Sequence, residues 1–362
     1  EPTSGPGQAY EGVNVAGTVL DGDYPYGTDS RLVSPTMDLP GISEGEEIVL
    51  RFQQWFNYDS ADKRKVQIQM WDGTGWSEWT DLTSDTYGSS VVWSLRDVDL
   101  SAYAGQRVRI GFYHEDNHEH SGYYNSHYED PGWFIDDIVV LVRPTVFLDG
   151  PEDFESGWND WYTSNGVWQW GEPTNQPDSA HSPTHAMGTV VNGNYSYGTD
   201  SRLVSPQIQL PTVTTDQEVM LTFWQYFAYS SSDSGKVQLQ VLEEDGWSEW
   251  TDVSLYQAHT SSGAWCLAGV DLTAFGGSRV RLGFVHDDNH EHSGYSDDHY
   301  ESLGWYIDDL EVTVRDVIGY DDLDGTFESG QSGWYSYRGV WQIGEPTSGP
   351  GQAYEGVNVA GT

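Results

Sequence analysis

The chain ends as it begins: Glu1 to Thr18 read EPTSGPGQAYEGVNVAGT, and so do Glu345 to Thr362. The same Glu-Pro-Thr opening recurs at Glu172, after Trp168-Gln169-Trp170-Gly171, just as Glu345 follows Trp341-Gln342-Ile343-Gly344. A repeat of about 170 residues is too long for a helical solenoid or a propeller blade and fits one whole domain per copy. The sequence therefore reads as a window on a tandem array, and function is to be asked both of one copy and of the array.

Copies are expected to join at Pro144 to Asp153 and at Asp316 to Thr326, where acidic, Gly- and Pro-containing stretches follow apolar runs. The following copy then opens with Phe154-Glu155-Ser156-Gly157, and again with Phe327-Glu328-Ser329-Gly330. This gives a module over 1–145 that lacks its opening strands, a complete module over 146–317, and the N-terminal part of a third over 318–362. A sandwich without its first strands exposes backbone edges, so segments of neighbouring copies are expected to fill the gaps, residues equivalent to 327–344 ahead of Glu1 among them.

Within the complete copy, apolar or alternating runs fall at Val167 to Trp170, Leu203 to Leu210, Val219 to Tyr229, Val237 to Val241, Ala264 to Leu272, Val280 to Val285 and Trp305 to Val314. No stretch carries capped helical periodicity. Asp72-Gly73 and Asp245-Gly246 read as hairpin turns. The fold class predicted is all-β, as tandem antiparallel β-sandwich modules of the jelly-roll kind. Ile307 and Leu310 are three apart, so both face the core only if the strand bulges at Asp308-Asp309.

Acidic residues number 57 against 15 basic ones, a formal net charge of −42, which disfavours nucleic acid and anionic membrane surfaces and leaves cations as natural partners. The single cysteine, Cys266, excludes an intrachain disulfide in this stretch and reads as a core residue. No apolar run approaches the length of a membrane span, so no membrane insertion is expected. Asn194-Tyr195-Ser196 fits a glycosylation acceptor and points weakly to an extracellular or cell-surface location.

The signposts Phe154-Glu155 with Gly157-Trp158, Trp168-Gln169-Trp170-Gly171, Ser201-Arg202-Leu203-Val204-Ser205-Pro206, Val270-Asp271-Leu272 before Arg279-Val280-Arg281-Leu282, and Gly304-Trp305-Tyr306-Ile307-Asp308-Asp309-Leu310 follow one another through the middle copy. The last is repeated as Gly132-Trp133-Phe134-Ile135-Asp136-Asp137. In this order they resemble the MAM-like jelly-roll modules of bacterial secreted and surface proteins, including accessory domains of immune-inhibitor-A-type metallopeptidases. The resemblance implies a non-catalytic adhesion, carbohydrate-contact or architectural domain, often with a structural cation. It also implies that Glu155 and an acid of the Asp308-Asp309 pair meet across neighbouring strands around that ion.

A His- and acid-rich stretch precedes the closing strand in both copies, from His114 and from His286. Ca2+ takes six to eight oxygens, and the stretch offers Asp287, Asp288, Asn289, Asp297, Asp298, Glu301, Asp308 and Asp309, with Asp116, Asn117, Glu129, Asp136 and Asp137 in the first copy. A solvated, salt-screened loop is the competing reading. His286, His290, His292 and His299 supply imidazoles that suit Zn2+, Ni2+ or Cu2+ instead.

His114-Glu115-Asp116-Asn117-His118 matches the H-E-x-x-H pattern of zinc peptidases, which need it on a helix. Here it follows a strand-like run, and the second copy reads His286-Asp287-Asp288-Asn289-His290, so no peptidase is expected. No G-x-S-x-G, P-loop or dinucleotide fingerprint occurs. Of the 17 tryptophans, Trp224, Trp250, Trp265 and Trp305 fall in strand patterns and are expected in the sandwich interior. The sequence thus reads as a non-enzymatic, calcium-stabilised structural or adhesive repeat of an extracellular filament or surface protein, with neighbouring copies as partners. The alternative is a carbohydrate- or ligand-binding accessory module of a secreted hydrolase, with glycans as partners.

Overall fold

The computed structural model describes residues 1–362 except 26, 44, 84, 117–129, 146, 147, 149, 197, 231, 232, 244, 245, 257–260, 289–301, 337–339, 350 and 354. The described residues are all-β, with helix only in the short 3-10 turns Ser101–Tyr103, Thr273–Phe275 and Tyr320–Asp322. They form two compact units: residues 1–146 with 162–169 and 195–203, and residues 147–161 with 170–194 and 204–362.

In the first unit one long strand, Glu46–Met70, serves both layers. Its first half pairs antiparallel with Gly132–Pro144 and with Ser94–Asp99, and its second half with Arg107–Glu115. Ala16–Gly17 extends the Gly132–Pro144 edge, while Ser30–Val33 and Met37–Asp38 line the far side of Arg107–Glu115. Alternate side chains point inward, as a pleat requires, so Ile48, Leu50, Phe52, Val66, Ile68, Val108, Ile110 and Trp133 fill the space between the layers. Val167, from the opening segment of the second copy, belongs to this same core. That segment's strand Tyr162–Asn165 lies parallel to Ser94–Asp99, with Thr163 opposite Arg96.

The second unit repeats the plan. One sheet runs in the order Gln169–Gly171, Ala186–Gly188, Gly304–Asp316, Gln217–Ala228, Cys266–Asp271. The facing layer pairs Arg279–Asp287 with Ser234–Glu243, which carries Thr251–Tyr256 and Gly246–Trp247. Phe223 and Phe284 meet edge to face at 5.1 Å, and Trp305 completes the cluster 5.6 Å from Phe284. Cys266 is fully buried, and burial pushes its thiol up to about 11, as befits a core residue. At the far edge Ser336 bridges in parallel to Ala268 and donates its N–H to the Leu267 carbonyl at 2.9 Å.

The predicted bulge is present. The register between Gln217–Ala228 and Gly304–Asp316 shifts between Thr222 and Trp224, opposite Asp309, whose φ is 44°. Ile307 and Leu310 consequently both lie in the core at 0% exposure. Each predicted run contains strand, although Leu203 to Leu210 splits at Pro206 into Ser201–Val204 and Ile208–Gln209. The Asp72 turn closes as expected, its carboxylate accepting the N–H groups of Thr74 and Gly75 at 2.7 and 2.8 Å. Asp245 lies outside the described residues.

Candidate functional site

The bulge fixes the most organised polar site of the second unit. Asp308 is turned onto the segment 181–185, where its Oδ2 accepts the backbone N–H groups of His181 and Ser182, both at 2.9 Å. Its neighbour Asp309 meets the His181 ring at Nδ1. Glu155 takes the other end of the segment, accepting from the N–H of Thr184 and of His185 at 3.1 and 2.7 Å and from the Thr184 hydroxyl at 2.6 Å. Two carboxylates from opposite ends of the copy thus clasp one short loop through backbone donors.

The clasp recurs. In the first copy Asp136 accepts the N–H groups of Tyr10 and Glu11, and in the third Glu328 accepts those of Val357 and Asn358. Burial pushes the Asp308 carboxyl up to about 7, aided by the Asp309 charge and only partly opposed by the N–H donors. For Glu155 partial burial also acts upward, but the Thr184 hydroxyl and the His185 and Thr184 amides outweigh it and bring the carboxyl down to about 2.

The clasped segment carries two stacks. His181 lies flat on Trp224 at 3.8 Å with an interplanar angle of 13°, and His185 lies on Trp170 at 4.5 Å and 3°. The Trp265 indole donates to the Ser179 carbonyl at 3.1 Å. Trp224 also lines a groove of about 1000 Å3, together with Gln331, Gln342, Ile343 and Glu345. Of the four tryptophans expected in the interior only Trp305 is there; Trp224, Trp250 and Trp265 are half-buried. The pleat explains the difference for Trp224, because its neighbour Phe223 takes the inward position.

A second aromatic arrangement lies on the outer layer of each unit. In the first, Arg31 stacks on Trp79 at 4.6 Å and on Tyr113 at 4.4 Å, and Arg109 stacks on Trp76 at 4.5 Å. Trp79 crosses Gly111, where a Cβ would come within 2.8 Å of the ring, and Trp250 crosses Gly283 with the same 2.8 Å approach. These guanidinium–indole rows cover the sheet with cation–π contacts.

The remaining sequence-derived candidates separate. Asp287 pairs with Lys236 at 3.0 Å, whereas Asp116 and Asp288 are buried. Asp116 accepts the Gly27 N–H beside a buried set in which Tyr24 donates to Asp62 and Tyr58 lies 3.1 Å from His114. Asp137, like Asp309, takes the positive-φ bulge position, at 48°. Asn117, Glu129, Asn289, Asp297, Asp298 and Glu301 lie outside the described residues, as do His118, His290, His292 and His299. Among the described residues no three His, Cys, Asp or Glu side chains converge as a metal site would require.

His114 and Glu115 end the strand Arg107–Glu115, and Glu115 pairs with Lys65. A zinc peptidase needs its glutamate on a helix face toward metal-bound water. Glu115→Gln is therefore expected to leave casein unhydrolysed to the same extent as the unaltered chain after zinc loading; cleavage that disappears in this variant would reverse that reading. His181 and His185, the imidazoles that do engage acids, were not singled out by the sequence, since their partners lie far away in the chain.

The fold and site define β-sandwich modules with a clasped polar loop, and known proteins can be set beside them. No model of a protein family matches the chain. Over 240 residues it is 26% identical to bacillopeptidase F of Bacillus subtilis (strain 168), a stretch that is 66% of this chain and 15% of that protein's length. Among solved structures, the K3 cleaved adhesin domain of Lys-gingipain from Porphyromonas gingivalis aligns at 19% identity and a TM-score of 0.29, covering 45% of this chain and 97% of that one. The tandem CBM22-1–CBM22-2 domain of Paenibacillus barcinonensis Xyn10C aligns at 11% identity and a TM-score of 0.29, over 80% and 92%.

Proposed function

We propose that this chain is a non-catalytic stretch of accessory modules in an extracellular protein, and that its second unit binds carbohydrate. The observation that carries the reading is the Trp224 indole, stacked on the His181 ring and lining a groove with Gln331 and Gln342, of which Gln342 donates from its amide nitrogen to the Trp265 carbonyl at 3.2 Å. A flat aromatic face beside amide donors and acceptors suits a pyranose, whose C–H face stacks and whose hydroxyls need directional partners. The carboxyl clasps of Asp308 and Glu155 would position the loop that holds the ring. Similarity to a stretch of bacillopeptidase F supports a place beside a peptidase.

Screening the chain on an oligosaccharide array, followed by calorimetry on the best ligand, is the test. Trp224→Ala should weaken binding about tenfold or more, the equivalent of ~1.4 kcal/mol, with Gln331→Ala acting in the same direction. An array with no hit, or a ligand whose affinity ignores both substitutions, would remove the reading.

Calcium is proposed for the acid-rich stretches rooted at the buried Asp116 and Asp288. Extracellular sites of this kind bind with dissociation constants of roughly 10⁻⁴ to 10⁻³ M, so 10 mM calcium should add about 2 kcal/mol by mass action. The melting temperature should fall by a few degrees on adding excess chelator, and an unchanged melting curve would argue against the ion.

A further inference from the structure

Acidic side chains outnumber basic ones 57 to 15, yet two arginines of the first unit stay out of ion pairs. Arg51, Arg107 and Arg143 each hold a carboxylate, at 2.8, 2.6 and 2.6 Å. Arg31 and Arg109 have no carboxylate partner among the described residues. Each donates its Nε–H to a neutral amide instead, Arg31 to Gln67 at 2.8 Å and Arg109 to Gln69 at 2.7 Å. The glutamines are fixed in turn, their amide nitrogens donating to the Asp81 carboxylate and to the Ser77 carbonyl, both at 2.6 Å. Both arginines are half-exposed, and their terminal NH2 groups make no hydrogen bond among the described residues.

Val108, Ile110 and Phe112 take the inward positions of Arg107–Glu115, so Arg109, Gly111 and Tyr113 line its outer face. Gln69 stands opposite Arg109, Gln67 opposite Gly111, and Arg31 opposite Tyr113. Over this face the planes alternate in the order Trp76, Arg109, Trp79, Arg31, Tyr113, and both guanidiniums lie within 5.5 Å of the Trp79 ring. At the end of the row Trp71 meets Trp76 edge to face at 5.5 Å, and both rings are half-exposed. The second unit rebuilds the middle of the row, with Arg281 4.5 Å from Trp247 and its Nε–H on Gln240 at 2.7 Å. It has Leu242 where the first has Trp71, and Val285 where the first has Tyr113.

We propose that this row on the first unit is a binding site for a carboxylate-bearing glycan, a uronic acid oligosaccharide whose acid groups meet Arg109 and Arg31 and whose sugar ring packs on Trp71 and Trp76. The guanidinium fork matches a carboxylate in two parallel hydrogen bonds. Stacking and the Nε–H anchor fix each fork beforehand, so little side-chain freedom is lost when the ligand arrives. The indole faces inside the row are taken by arginine, which leaves a neutral sugar only the Trp71 end to stack on, whereas an anion finds donors along the edge. A nucleic acid or polyphosphate would press further charges against Asp81 and Glu115 beside Lys65. Scattered carboxylates need meet only the two arginines, and acids more than about 8 Å away are largely screened at physiological salt. The site is separate from the Trp224 groove and does not rest on it.

The probe is a galacturonic acid tetramer, with its fully methyl-esterified form as the neutral control, titrated by calorimetry into the full 362-residue chain at physiological salt. The acid should bind, and esterification should weaken it about tenfold or more, since it removes the charge-assisted hydrogen bonds. Arg109→Gln should weaken the acid by a similar factor. Arg109→Lys should do the same, because it keeps the charge and loses the fork, and it serves as the second variant should the glutamine disturb the row. Trp224→Ala should leave the preference for acid over ester unchanged, which separates this site from the groove of the second unit. The proposal is overturned if the acid does not bind at millimolar concentration, if the ester binds equally well, or if the preference for acid persists in both Arg109 variants.

Discussion

Trp305→Ala is expected to destabilise the second unit by about 4 kcal/mol or more, enough to remove its calorimetric transition from the physiological range. Removing a buried tryptophan typically costs about 3–5 kcal/mol, because the lost transfer energy is joined by a cavity that the surroundings fill only in part. Here the indole is 0% exposed and packs on Phe284 and Phe223 at the centre of the core. Its Nε1–H also donates to the Gln225 Oε1 at 3.0 Å, so truncation leaves a buried acceptor without that donor, at about 1–3 kcal/mol more. Trp250→Ala is the comparison: that ring is half-buried over Gly283 and should cost less than half as much. Equal losses from the two substitutions would show that the interior is not organised around Trp305.

The two tryptophans also mark how far the sequence could be read. Strand periodicity revealed the fold class and, through Ile307 and Leu310, the bulge, because a core-facing pair three apart violates a period of two and admits few remedies. The same periodicity turns one of the neighbours Phe223 and Trp224 outward, so placing Trp224 in the interior because it falls in a strand pattern left out which face of the strand it occupies. Glycine was the better signal: Gly111 and Gly283, in mid-strand, mark where Trp79 and Trp250 lie flat across the sheet.

The clasped segment 181–185 was not legible at all. Its recognition elements are backbone N–H groups, which every residue has, and one of its two carboxylates, Asp308, comes from the other end of the copy. The strand Tyr162–Asn165 escaped for a related reason. Its polar Thr-Ser-Asn run lacks alternation, and its role comes from two neighbouring edges rather than from its own pattern. The sequence raised the expectation that residues equivalent to 327–344 ahead of Glu1 fill the gap in the first module, which is a different strand from the one seen here, Tyr162–Asn165. In the first unit that strand comes from the copy that follows.

Two buried groups in the second unit should give it opposing responses to pH, which single substitutions ought to separate. Burial brings the His286 imidazole down to about 4, against the pull of Asp288 and Asp287, while it raises the Asp308 carboxyl to about 7. For His286 the unfolded chain binds the extra proton, so its contribution is complete above about 6.5 and is lost as the pH falls toward 4. For Asp308 the folded chain holds the extra proton, so stability is greatest near 4 and declines as the pH rises to about 7.

At ~1.4 kcal/mol for each tenfold change in proton affinity, each arm amounts to about 3–4 kcal/mol, and over pH 4 to 6.5 the two nearly cancel. Asp308→Asn keeps an oxygen for the His181 and Ser182 amides but has no carboxyl to titrate. Its urea midpoint should therefore rise between pH 4 and 6.5, following His286 alone. His286→Asn should show the reverse, a midpoint that falls from pH 4 to 7. Asp308→Asn should also carry a pH-independent loss of about 1 kcal/mol, because its amide nitrogen replaces the oxygen that accepts the Asp309 N–H at 2.8 Å. Should both variants retain the flat profile of the unaltered chain, neither group would be buried in the state that the structure describes.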